Sequence, residues 1–394
     1  MRTTRLFRAP VSAILLALFL LPAAAHATDV TVGCPGGSGG TYPGINAALA
    51  AVGNIGPSTI TVTGTCLENV QINNARSITI VAGPSGASIV EPTDLNAFDI
   101  DLSQDINLVN LDISTTGPDG GGVVITEGSL VRIFGCNIHN NQGIGVDANT
   151  GSILILRNTT IQNNTPNDGL DLGDNATADV AFTTIQNNGS SGATGGGGVF
   201  LTGSSTILFR QTNLIQNNAD MGIVAVNLSH VRFQSGGPGK FTTVQGHNVN
   251  GIFVNKQSHL QINGASPAVI QSNGAACPLD PTCGGIFVAA NSTVHVNNGT
   301  IRGNHGSGIS AQQGANVRLS GATVSNNTGD GVHIQWISIG DFLPGFANSI
   351  TGNGGKSVFC DTTSLAVGDL GAFTNIGCAQ VARSNGPPRP GAVR

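Results

Sequence analysis

A short phrase recurs along this chain: a glycine, an apolar residue, a free position and a second apolar residue. About a dozen residues later it closes on Ile-x-x-Asn or Ile-x-Asn-Asn. Gly145-Val146-Asp147-Ala148 closes at Asn163-Asn164, Gly169-Leu170-Asp171-Leu172 at Asn187-Asn188, and Gly198-Val199-Phe200-Leu201 at Asn217-Asn218. Later copies begin at Gly222, Gly251, Gly285, Gly308 and Gly331, with late asparagines at Asn273, Asn304, Asn327 and Asn353. The late asparagines Asn141, Asn164, Asn188 and Asn218 are spaced unevenly, so the unit tolerates insertions. A repeat of this length, built from short alternating strands, cannot bury its apolar face alone and must stack on its neighbours. It is the pattern of a β-solenoid.

The first 27 residues read as a signal peptide, with Arg2, Arg5 and Arg8, an apolar run from Val11 to Leu21, and the small-x-small site Ala25-His26-Ala27. That run is short for a bilayer span and no later segment is apolar enough, so a secreted or periplasmic protein without membrane insertion is expected. Without the three leader arginines, 13 basic residues face 21 acidic ones, a net charge of −8. This balance argues against nucleic acid or an anionic membrane surface as partner. Charged residues make up only 9% of the chain. Asn, Ser and Thr take their place, and such neutral polar side chains can stack on copies of themselves where like charges would repel.

Seven cysteines suit an exported chain. Proximity suggests three pairs: Cys277 with Cys283 around an inserted loop, and Cys34 with Cys66 and Cys360 with Cys378 clipping the ends. Cys136 is left over, in a position where other repeats carry Thr159, Gly299 and Ala322, and it reads as a small buried residue.

Residues 28–58 form an N-terminal cap. Within it Ile45, Ala48, Leu49 and Val52 fall on one face of a short helix starting near Pro43, which would cover strand edges at the open end of the solenoid. Coils run over 59–380, and the Pro- and Gly-containing tail, 381–394, is expected to be disordered. Alternation places Val146, Leu170, Val199, Ile223, Ile252, Ile286, Ile309 and Val332 in one inward row, with Ala148, Leu172 and Leu201 opening a second. The late asparagines are assigned to tight turns and to amide ladders between coils.

With its asparagine turns and helical cap, the chain resembles the pectate-lyase-like right-handed parallel β-helix superfamily over nearly all of its mature length. The opening Tyr42-Pro43-Gly44-Ile45-Asn46-Ala47-Ala48, followed by Ile60 to Val70, looks like the first coil of pectin methylesterases. The resemblance implies an all-β, single-stranded right-handed solenoid. It leaves the activity to the site, because members include lyases, hydrolases, esterases, epimerases and non-catalytic surface proteins.

The outward position between the two inward rows reads Val124, Asp147, Asp171, Phe200, Val224, Phe253, Phe287, Ser310 and His333. Asp147 and Asp171, on adjacent coils, must share a proton or a cation. Asp168 and Asp174 lie on the same coil as Asp171. Two roles follow: Asp147, Asp171 and Asp168 as acid/base groups, or Asp147, Asp171 and Asp174 as metal ligands. Calcium is the candidate ion, and no cofactor is otherwise called for. Phe200, Phe253 and Phe287 suit stacking on sugar rings, unless the insertions after Ser235 and Ala275 cover them.

Asn167-Asp168-Gly169-Leu170-Asp171 looks like the first catalytic motif of polygalacturonases, yet the next coil lacks that family's Asp pair and His305-Gly306 comes several coils late. An arginine base of the pectate lyase kind is missing beside the acidic residues, as is the Gln, Asp and Arg arrangement of pectin methylesterases. His295, with Arg318 one coil on, and His333 are the remaining candidate bases. The expectation is a monomeric protein contacting an extended polysaccharide, as a lyase, a hydrolase or a binding module. The alternative is a non-catalytic adhesion or envelope solenoid.

Overall fold

The computed structural model describes residues 28–190, 196–234, 237, 239–264, 268–277 and 280–382. The leader, almost all of the expected tail and parts of both inserted segments lie outside them. The described chain winds as a parallel β-solenoid. Each regular coil gives one strand to a sheet of 13 strands and two to a sheet of 25 strands. One such coil comprises Leu170–Leu172 in the first sheet, then Thr177–Ala181 and Thr184–Gln186 in the second.

Both inward rows form as expected. Val146 pairs with Leu170, Leu170 with Val199 and Val199 with Ile223, and all four side chains are fully buried. The second row, from Ala148 and Leu172 to Ile334, is equally buried. Leu154, Leu156, Val294, Val296, Val317 and Leu319 close the core from the other sheet. Each large aliphatic side chain so buried contributes about 1.5–3 kcal/mol. The core is therefore a continuous stack along the axis, and it leaves ligands only the outer faces.

The late asparagines divide their two roles between successive positions. The first Asn of each pair, as at Asn163 and Asn187, takes a left-handed φ of 56° to turn the chain. The second is buried and bonds up the axis. Asn141 Nδ2 donates to Asn164 Oδ1 at 2.7 Å, Asn164 to Asn188 at 2.9 Å and Asn188 to Asn218 at 3.0 Å. The ladder resumes from Asn273 through Asn304 and Asn327 to Asn353. It also explains the repeat glycine, since a Cβ at Gly169 would sit 2.6 Å from Asn188 Nδ2. An outer ladder of Gln162, Gln186, Gln216, Gln245 and Gln271 runs beside it.

At the N-terminal end the helix forms over Ile45–Val52, burying Ile45 and Ala48. Glu68 accepts the first N–H groups of this helix, from Ile45 at 2.6 Å and Asn46 at 3.1 Å, where negative charge suits the helix dipole. A strand not anticipated from the sequence, Thr28–Gly33, pairs in parallel with Ile55–Cys66. Its alternating Val30 and Val32 carried the signal. The three disulfides pair as expected, and Cys136 is buried, which pushes its thiol up to about 12.

Candidate functional site

The outward column forms in register across the 13-strand sheet. Asp147 pairs with Asp171, Asp171 with Phe200, Phe200 with Val224, Val224 with Phe253 and Phe253 with Phe287. Each sits between two buried neighbours on a short strand, so the pleat turns it away from the core. Successive positions are about 4.8 Å apart along the axis.

Asp147 and Asp171 are half-buried. Burial raises the Asp147 carboxyl, opposed by a hydrogen bond from Asn149 Nδ2. Asp171 is pushed up to about 7, first by burial and then by the charge of Asp147, and its Oδ1 is buried with no hydrogen-bond partner among the described residues. Asp168 stands in the turn before Asp171 and accepts the Gly197 N–H at 2.6 Å. Burial, then the charges of Asp171 and Asp220, push it up to about 8 despite that bond. At neutral pH the site therefore holds protons on carboxyl groups that in water would be ionised. Such a group can donate a proton and an ionised neighbour can accept one.

Asp220, half-buried and raised by burial, is a fourth carboxyl that the sequence reading missed. It occupies the turn before the glycine of its repeat, much as Asp168 does. With Met221, Val224 and the two rings Phe200 and Phe253 it lines a cleft of about 260 Å³. The rings stand two coils apart with the smaller Val224 between them. Phe253 and Phe287 stack on each other, with centroids 5.2 Å apart. Among the described residues all three phenylalanines are half-buried, not fully covered.

Asp174 lies apart from the pair, on an exposed turn with a φ of 47°. Among the described residues, Asp147, Asp171 and Asp174 do not form a group whose ligand atoms lie within 4.8 Å of one another.

The column reaches further than the sequence reading took it. Asp99 precedes Val124, receiving hydrogen bonds from Asn69 and Asn96, and Phe359 follows His333. His333 is buried, bonded through Nδ1 to Asp330 at 2.6 Å and stacked on Phe359 at 4.6 Å. Six strand spacings separate it from Asp171, so the two cannot serve one reaction. His295 faces outward from the other sheet.

The family of right handed beta helix regions matches residues 58–214 and 121–277, together more than half of the chain. The protein belongs to that right-handed β-helix family. Its fold is similar to the A-module of the mannuronan C-5 epimerase AlgE6 of Azotobacter vinelandii, with a TM-score of 0.53 and 14% identity over 80% of this chain and 93% of that one. The AlgE4 A-module of the same organism gives a TM-score of 0.52 at 14% identity, over 87% and 92% of the two chains. A search of curated proteins returned no match. Among the described residues no helix is long and apolar enough to cross a membrane, and three disulfides suit an oxidising compartment.

Proposed function

We propose that the face from Asp147 to Phe287 binds an extended polysaccharide and that Asp147 and Asp171 act on it as an acid/base pair, with Asp168 assisting. One observation carries this reading: the carboxyl pair and the aromatic row occupy a single column, with the Phe200–Phe253 cleft beginning one coil beyond Asp171. A glycan laid along the axis would seat one sugar between the two rings and bring a neighbouring unit over the carboxyls. Stacking supplies affinity, at about 0.5–1.5 kcal/mol for a well-placed ring pair. Asp171, its carboxyl pushed up to about 7, supplies an acid, and Asp147 beside it, when ionised, a base. Lysis or hydrolysis of the chain is the class of reaction this pair serves. The protein works outside the cytoplasm, as a secreted or periplasmic monomer.

The test is incubation of the mature chain, from Thr28, with neutral and uronic polysaccharides, recording cleavage and retention, with calcium and with chelator. Mannuronan joins the panel because the epimerase modules of similar fold are named for it. Cleavage lost in Asp147→Asn and Asp171→Asn, with the fold intact, supports the full reading. Retention without cleavage reduces it to a binding module. Neither result leaves the non-catalytic solenoid as the better account.

A further inference from the structure

A second groove lies on the other sheet. Across the strands His259–Asn263, Thr293–Asn297, Asn316–Ser320 and Ile339–Phe342, the outward residues Gln261, His295, Arg318 and Asp341 fall in register. Beside them Asn297 pairs with Ser320. Gln261, His295, Asn297, Arg318 and Ser320 line much of a cavity of about 590 Å³, to which Leu343 and Phe346 add an apolar side. Its volume lies within the range usual for small-molecule sites.

The apolar side comes from a local departure from the repeat. After Thr293–Asn297 and Asn316–Ser320 the chain turns within two residues, Asn298-Gly299 and Gly321-Ala322. After Ile339–Phe342 it takes residues 343–348 before the next strand begins at Ser349. This longer turn carries Phe346, which is 47% exposed. An exposed ring beside a polar groove has no role in the core, and exposed apolar surface at a cavity marks a contact site.

The polar groups are held ready. Arg318 gives its Nε to Asp341 at 2.9 Å, and its Nη groups make no hydrogen bond among the described residues. Burial, then the Arg318 charge, lowers the His295 pKa, so its ring is neutral at pH 7 and offers both a donor and an acceptor. His259 packs edge-on against it at 5.0 Å.

This chemistry narrows the ligand. A simple anion gains little, because Asp341 offsets Arg318. An apolar ligand would leave the guanidinium, imidazole and amides unpaired beneath it. A sugar answers both demands, with hydroxyls for the polar floor and a C–H face for the phenylalanine ring. We infer that the groove is a second saccharide site, separate from the Asp147–Phe287 face, and that it takes roughly two or three sugar units by volume.

The test is titration calorimetry of the full mature protein with tetrasaccharides of glucose, xylose, galacturonate and mannuronate. It is run in a Phe200→Ala/Phe253→Ala background, which weakens the first face enough for the second site to be fitted separately. One remaining site per chain is expected, weakened tenfold or more by either Phe346→Ala or Arg318→Gln. Both positions are exposed, and unchanged thermal melts confirm that the variants fold. No heat from any of the four sugars in that background, or a site indifferent to both substitutions, overturns the inference. The result stands apart from the fate of the first face, whose failure would leave this titration unchanged.

Discussion

His247 Nδ1 accepts the backbone N–H of Asn218 at 3.2 Å, in the slot where the coils on either side present an asparagine amide. Its Nε2 reaches the Ile215 carbonyl at 3.2 Å, and its own N–H bonds to Asn273. Ring and backbone N–H together thus join two runs of the buried ladder, and the ring's bond to Asn218 exists only while Nδ1 is unprotonated.

This bond makes the fold sensitive to acid. Burial lowers the His247 pKa to about 4, against an ordinary value of 6.5. The unfolded chain therefore binds the proton more readily. Stability is fully present above pH 6.5 and is lost as pH falls from 6.5 towards 4, by on the order of 3 kcal/mol in all. Urea unfolding of wild type and His247→Asn across this window checks it. The asparagine variant restores the ladder and should show a clearly shallower slope.

The buried carboxyls act in the opposite direction. Asp168 is raised to about 8 from 3.8, so its contribution is fully present below 3.8 and is lost as pH rises through about 8. Asp168→Asn retains an acceptor for the Gly197 N–H and removes the charge. The variant should match wild type at pH 4 and exceed it at pH 8 by several kcal/mol, read from urea midpoints.

If Asp171 donates a proton to the glycan, turnover falls as pH rises past about 7, where that proton is lost. Asp171→Asn should lower the cleavage rate by about 10²–10⁴ with little change in thermal melting. A pH–rate profile of the wild type and a single-turnover assay of the variant measure the two effects.

Phe253 belongs both to the cleft and to the ring pair with Phe287. Phe253→Ala should weaken retention on the bound polysaccharide by about tenfold, equivalent to about 1.4 kcal/mol. Affinity electrophoresis in gels containing the polysaccharide reads this directly.

Asn188 tests the ladder itself. Its Oδ1 accepts from both the backbone and the side chain of Asn164, while its Nδ2 serves Asn218 and the Ile161 carbonyl. Asn188→Ala strands these buried groups, at about 1–3 kcal/mol for each one left unsatisfied. A fall of several kcal/mol in unfolding free energy is expected by denaturant titration.

The repeat phrase determined the fold because period and chemistry agree in it. Alternating apolar positions such as Leu170 and Leu172 can be buried only by stacking coils, and the glycine before them clears space for the Asn188 amide. Registration then follows, and so the outward column from Asp147 to His333 was legible in sequence. Other features were not. His247 was missed because a histidine replaces the expected amide. Asp220 was missed because it stands in a turn, outside the alternating strands. The cleft between Phe200 and Phe253, and the groove under Phe346, depend on which side chains lie beside one another several coils apart. The raised pKa values of Asp168 and Asp171 are tertiary for the same reason. Strand alternation states which way a side chain points, whereas only the packed coils decide how much water reaches it and which charge stands next to it.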